Sequence, residues 1–186
     1  MNRLALIVLA FLIISACAST QSYKKPGVNF SHYKKIAVVR FDCSNYGAGQ
    51  EVADNMGLEF IKKGFNVIER SQLRAVINEE ALVQSVLIES AKSALNVSGV
   101  DAIVVGSISM YDCRPDKAVI FLMGSPFVMN TNNCQASLSM KMLDVKTGDI
   151  LWAANGSHAV NAVSMTANKV LKIVIDDLSK QLPSLQ

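Results

Sequence analysis

Apolar positions along this chain change period several times, and each change marks an element. An unbroken apolar run from Leu4 to Ile14 gives way to a polar stretch, residues 18–31, with no sustained period. Ile36-Ala-Val-Val-Arg-Phe41 is a short β-branched run and predicts a buried first strand. Val52, Met56 and Phe60 recur four residues apart, with Ala53 and Ile61 beside them, which predicts a helix over 50–63 closed by Gly64. Phe65-Asn-Val-Ile68 predicts a second strand, and Ser71 then caps a helix with Leu73, Val76 and Ile77 on one face. A shorter helix is predicted over 90–97. The continuous apolar opening of 101–110 predicts a third strand buried on both faces in mid-sheet.

From Cys134 the period becomes two. Cys134, Ala136, Leu138, Met140 and Met142 alternate with Gln135, Ser137, Ser139 and Lys141, the mark of an antiparallel strand with one wet face. Lys146-Thr147-Gly148-Asp149 predicts a turn, and Ile150, Trp152 and Ala154 the returning strand. A last helix, 162–180, carries Val163, Ala167, Val170, Leu171, Val174 and Leu178 on one stripe and stops before Pro183. Its Asp176, Asp177 and Lys180 read as a solvated face. The fold class is therefore α/β, or α+β with a mixed sheet: a βαβαβ start, an antiparallel hairpin and a C-terminal helix.

The run at the start is eleven residues long, about 17 Å as a helix and too short for a permanent span, so residues 1–16 read as a signal peptide. Ile14-Ser15-Ala16-Cys17 resembles the lipobox of bacterial lipoproteins, which implies cleavage before Cys17 and lipid attachment on it. Ala18 stands where lipoproteins kept in the inner membrane carry Asp, so the resemblance implies an outer-membrane anchor facing the periplasm. Residues 17–31 are then the lipidated N-terminus and a linker, and 32–186 the periplasmic domain.

Composition narrows the function. Charged residues at 18% and a net charge of +3 give no footprint for nucleic acid. With Cys17 acylated, Cys43, Cys113 and Cys134 remain in an oxidising compartment, enough for one bridge. Cys113 with Cys134 would close a loop of about 20 residues, worth roughly 3 kcal/mol. Cys43 with Cys113 competes with it, and an unbridged buried Cys43 is a third arrangement.

Sites for chemistry are sparse. Tyr46-Gly47-Ala48-Gly49 has no third glycine and no Gly-Lys-Ser/Thr, and Glu51 and Asp54 behind it would repel an anion, so it reads as a glycine turn. His32 and His158 lack ligand spacing and read as surface residues. Gly106-Ser107, Gly124-Ser125 and Gly156-Ser157 read as strand ends and loops, and Glu69-Arg70 as neighbours on opposite faces of a strand. No catalytic, cofactor-binding or metal-binding residues are assigned, and no enzymatic activity is expected.

Lys35-Ile-Ala-Val-Val-Arg-Phe41, Val67-Ile-Glu-Arg70, Gly99-Val-Asp-Ala-Ile-Val-Val-Gly-Ser107 and Leu143-Asp-Val-Lys-Thr-Gly-Asp-Ile150, in that order behind a lipobox, resemble the curli-secretion lipoprotein (CsgG-type) family. The resemblance covers about residues 33–180 and implies a three-layer sandwich like the TolB amino-terminal domain. Members of the curli type form rings, and each subunit gives two β-hairpins to a barrel through the outer membrane. One hairpin would fall at Lys117 to Asn130, which is apolar at Ala118–Met123 and Phe127–Met129 but lacks the alternation of a lipid-facing strand. The second would follow Val160, where the helix leaves no room. The 117–130 segment is expected to fold over the core, touch lipid or meet a partner, with Ile120, Phe121, Leu122, Met123, Phe127, Val128 and Met129 as the membrane or partner contacts.

The reading that follows is a lipid-anchored outer-membrane protein that binds envelope protein partners, or itself as a homo-oligomer, in assembly or secretion. The alternative is a channel subunit that inserts the 117–130 hairpin into a shared barrel.

Overall fold

The computed structural model describes residues 17–76 and 89–185; the expected leader, 1–16, and Ile77 lie outside them. In chain order the elements are β1 (Cys17–Lys24), a 3-10 turn (Phe30–His32), β2 (Lys35–Val38), α1 (Tyr46–Lys62), β3 (Asn66–Val67), α2 (Arg70–Val76), α3 (Glu89–Val97), β4 (Ala102–Leu122), β5 (Ser125–Asp144), β6 (Ile150–Ala162) and α4 (Ala167–Ser179). The described strands form one sheet in the order β1-β6-β5-β4-β2-β3. β2 is parallel to β3 and β4, and the β4-β5-β6-β1 half is antiparallel.

The sheet is the middle layer of three. Even-numbered residues of β5, from Cys134 to Met142, are buried with Trp152 and Ala154 of β6 against α1 and α4, so the period-two pattern of β5 does select the core face. Trp152 meets Phe60 of α1 edge to face at 6.5 Å. On the other face Leu73 of α2 and Leu95 of α3 pack with Ala37, Val39, Ile103 and Val145, a smaller core over the parallel half. Ser139 and Asn155, on the same sheet face beyond β4, are exposed.

Local chemistry places the helices. Asn45 caps α1 by accepting the Ala48 N–H at 3.2 Å, and Thr166 caps α4 by accepting the Lys169 N–H at 3.4 Å. Gly64 leaves α1 at φ 95°, a conformation that disfavours a side chain. Gly47 and Gly49 belong to the first turn of α1, not to a turn before it. Gly49 is there because a Cβ would overlap the Phe41 carbonyl, and Gly106 because one would overlap the Phe41 ring.

Several expectations are corrected. The polar stretch taken as a linker opens with β1, paired along its length with β6 from Cys17↔Ala159 to Lys24↔Trp152. Its side chains gave no signal because an edge strand is held by its backbone ladder; the Lys25–Asp149 ion pair, 2.8 Å, and burial of Phe30 then fasten residues 25–32 to the body. Ser71 lies inside α2 and does not cap it, and of the pair expected on a strand Arg70 opens that helix and Glu69 precedes it, so neither Glu69 nor Arg70 is on a strand. Gly106-Ser107 and Gly156-Ser157 lie within β4 and β6. His158 is buried at 8% exposure with no partner for Nδ1, whereas His32 is exposed. Its position follows from parity: it is even, like Trp152 and Ala154, on a strand whose even side chains enter the core.

Candidate functional site

β4 and β5 are 21 and 20 residues long, far more than the sheet around them requires. β2 accompanies β4 only through Val104, and β6 leaves β5 at Asn132↔Ala162. Past that point the pair continues alone for seven residue pairs, Asp116↔Thr131 to Leu122↔Ser125, a ribbon about 23 Å long. The expected third strand, 101–110, is therefore the first half of β4, and 117–130 is the outer end of a regular hairpin.

Met123 and Gly124 close it with φ of 52° and 83°. Two consecutive positive φ values in a two-residue connection make a type I′ turn, whose twist matches that of the strands it joins. Sequence reasoning missed it because Met is an unusual residue there.

The ribbon is polar at its root and apolar at its tip. At the root Arg114 Nε donates to Asp112 Oδ2 at 2.7 Å, Asn161 Nδ2 donates to Asp116 Oδ2 at 2.6 Å, and Asn132 Nδ2 donates to the Met165 carbonyl at 2.9 Å. Tyr111 reaches Asn168 of α4, and burial, with the charge of Glu51 adding to it, raises its hydroxyl above the usual tyrosine value. Thr131 is buried there with its hydroxyl unpartnered. At the tip Val119 is 54% exposed, Phe121 72%, Phe127 56% and Val128 56%, with Ile120 and Met123 exposed as well. Met129 is half-buried, and Leu122 pairs with Ser125 across the ladder.

Folding of this segment over the core is ruled out by those exposures; none of these exposed side chains belongs to either core. The missing alternation has a structural counterpart. Ile120, Phe127 and Met129 lie on one face of the ribbon, Val119, Phe121 and Val128 on the other, so both faces are apolar.

Cys113 and Cys134 are direct partners in the ladder, with Cα atoms 4.0 Å apart and sulfurs in bonding contact. That spacing belongs to the close, non-hydrogen-bonded sites of an antiparallel pair. Pro115, two residues on, has the same parity, so its missing N–H would have faced the open edge of β4, and the ladder loses nothing. Cys43 is unbridged and half-buried.

Cys17 begins β1 at the row Cys17–Ala159–Gln135–Asp112. β4 and β6 run toward the hairpin tip, and β5 and β1 away from it. Cys17 is therefore at the end of β1 nearest the tip.

Little else gathers chemistry. A shallow cleft of about 490 Å³ is lined by Ser22, Lys24, Phe30, Trp152 and Leu182, and a second of about 430 Å³ by Leu58, Ile61, Val67 and Ile68 with Asp54 and Glu69. Among the described residues no group of His, Cys, Asp and Glu could hold a metal ion, and no helix is long and apolar enough to cross a membrane.

A family model described as "Curli production assembly/transport component CsgG" matches residues 13–181. Among solved structures, the PelC dodecamer from Paraburkholderia phytofirmans aligns at TM-score 0.57 and 11% identity, over 90% of this chain and 99% of that one. A single-substitution variant of that dodecamer gives the same values. Lipoprotein GNA1162 from Neisseria meningitidis aligns at TM-score 0.48 and 11% identity, over 78% of this chain and 98% of that one. No curated protein sequence matches the chain.

Proposed function

We propose, on the premise that this chain belongs to the curli production assembly/transport component (CsgG) family, that it is one subunit of an oligomeric, non-enzymatic transport assembly at the outer membrane. Each subunit presents hairpin 117–130 at the membrane end, and Cys17 carries the lipid that holds the periplasmic body there. The observation that carries this reading is the hairpin itself, a ribbon that leaves the sheet and exposes Phe121, Phe127 and Val128. Exposed apolar surface of that kind is costly in water and calls for a lipid or protein neighbour. Oligomerisation is supported by the family and by likeness in fold to a protein that forms a dodecamer.

The test is the size of the detergent-solubilised lipoprotein together with its conductance in planar bilayers. A particle of many subunits is expected, and a monomer overturns the proposal. Ion flow through that particle identifies a channel; a silent ring identifies a docking component that binds envelope proteins.

A further inference from the structure

Resting on the reading of Cys17 as the acylated anchor, we infer that the hairpin tip is a second, monotopic membrane anchor that enters one leaflet and does not cross the bilayer. The register puts both attachments at one end of the sheet, because β1 starts where β4 heads outward. The occupant of the apolar tip is therefore the membrane in which the neighbouring acyl chains already sit.

The depth follows from the distribution of polarity. Five pairs, Ala118↔Met129 to Leu122↔Ser125, make up the apolar length, about 17 Å. That is roughly half of a hydrocarbon core about 30 Å thick, and a crossing strand needs about nine to eleven residues. Behind it stand Asp116, Lys117, Asn130 and Thr131, and then the Arg114–Asp112 ion pair, groups suited to the headgroup region and costly in hydrocarbon. A barrel strand needs a wet face and a lipid face; this tip has apolar side chains on both. Polarity changes along the ribbon, not across it, as in a wedge.

Cys17 lies six residues, about 20 Å, behind the first apolar pair. Three strand-to-strand steps separate β1 from β4, and a twist of about 20–25° at each turns the hairpin well away from the β1 direction. Tip and anchor then reach one bilayer surface with the hairpin leaning toward the membrane plane.

The experiment uses the full lipoprotein with Cys43→Ser, so that an introduced thiol is the free one. Met123→Cys and, separately, Phe121→Cys are added from outside to preformed phosphatidylethanolamine–phosphatidylglycerol vesicles and exposed to a membrane-impermeant maleimide outside or trapped in the lumen. Loss of labelling from both sides, restored by detergent, is expected, while Asn155→Cys on the exposed sheet face still reacts from outside. Labelling from the lumen shows that the hairpin crosses and overturns the inference in favour of a barrel. Labelling from outside leaves the tip in water, overturns it also, and points to a protein partner. Mass analysis of Cys17 in the same sample separates failure of the inference from failure of the anchor, since an unacylated Cys17 removes the premise.

Discussion

Cys113 and Cys134 face each other across β4 and β5 two pairs before β6 ends, at the junction where a supported sheet becomes a free ribbon. A covalent link at that row fixes the register of everything beyond it. Cys113→Ala with Cys134→Ala should lower stability by about 3 kcal/mol, the scale for a closed loop of this size. Thermal unfolding measures the loss, and hydrogen exchange should show protection falling first in 114–133. Unchanged exchange there would show that the ladder alone holds the ribbon.

Glycines separate packing from conformation. Gly106→Ala would overlap the Phe41 ring and stand 2.5 Å from the Ser139 carbonyl oxygen, and Gly49→Ala would overlap the Phe41 carbonyl. Each should cost about 2 kcal/mol or more. Gly47→Ala, whose new Cβ meets only Asn45 Oδ1 at 3.5 Å, should be neutral or gain up to about 1 kcal/mol of helix stability. Denaturant titration of the three variants checks the order.

Tyr33 should make the protein sensitive to alkali. Burial, then a hydrogen bond to Asp144 Oδ2 at 2.9 Å, pushes its hydroxyl up to about 12 from 10.0. The folded state holds this proton more tightly than the unfolded one, so the stabilisation is complete below pH 10 and is lost as pH rises toward 12. Tyr33→Phe should flatten the fall in Tm over that interval and remove the late-titrating tyrosinate absorbance.

Residues of the tip should matter for attachment and not for folding. Phe121→Ser with Phe127→Ser removes side chains that touch neither core, so stability should change by less than about 0.5 kcal/mol. Binding to vesicles or assembly should fall markedly, measured by flotation and by sizing. A large drop in Tm would show that the tip packs on the body.

Burial patterns made much of the fold legible. The alternation from Cys134 to Met142 marked the core face, the four-residue spacing of Val52, Met56 and Phe60 marked α1, and the βαβαβ start matched the parallel half of the sheet. What escaped was structure held by backbone pairing alone. Cys17–Lys24 carries no apolar stripe because it is an edge strand, and 111–133 contains Pro115, a Met-Gly turn and a run of asparagines that individually argue against strands. The apolar tip was visible as a run of residues, but its projection depended on how far β6 extends, which no single segment encodes. His158 was within reach of a parity count from Trp152.

β1 starts at the very residue read as the acyl carrier, so no leash intervenes between bilayer and body. Copies held this way would drift in the plane already upright and facing alike, and their encounters would be a search over two coordinates and one spin. Ring closure would then begin from molecules aligned in advance, with much of the orientational entropy of assembly already spent at the moment of anchoring.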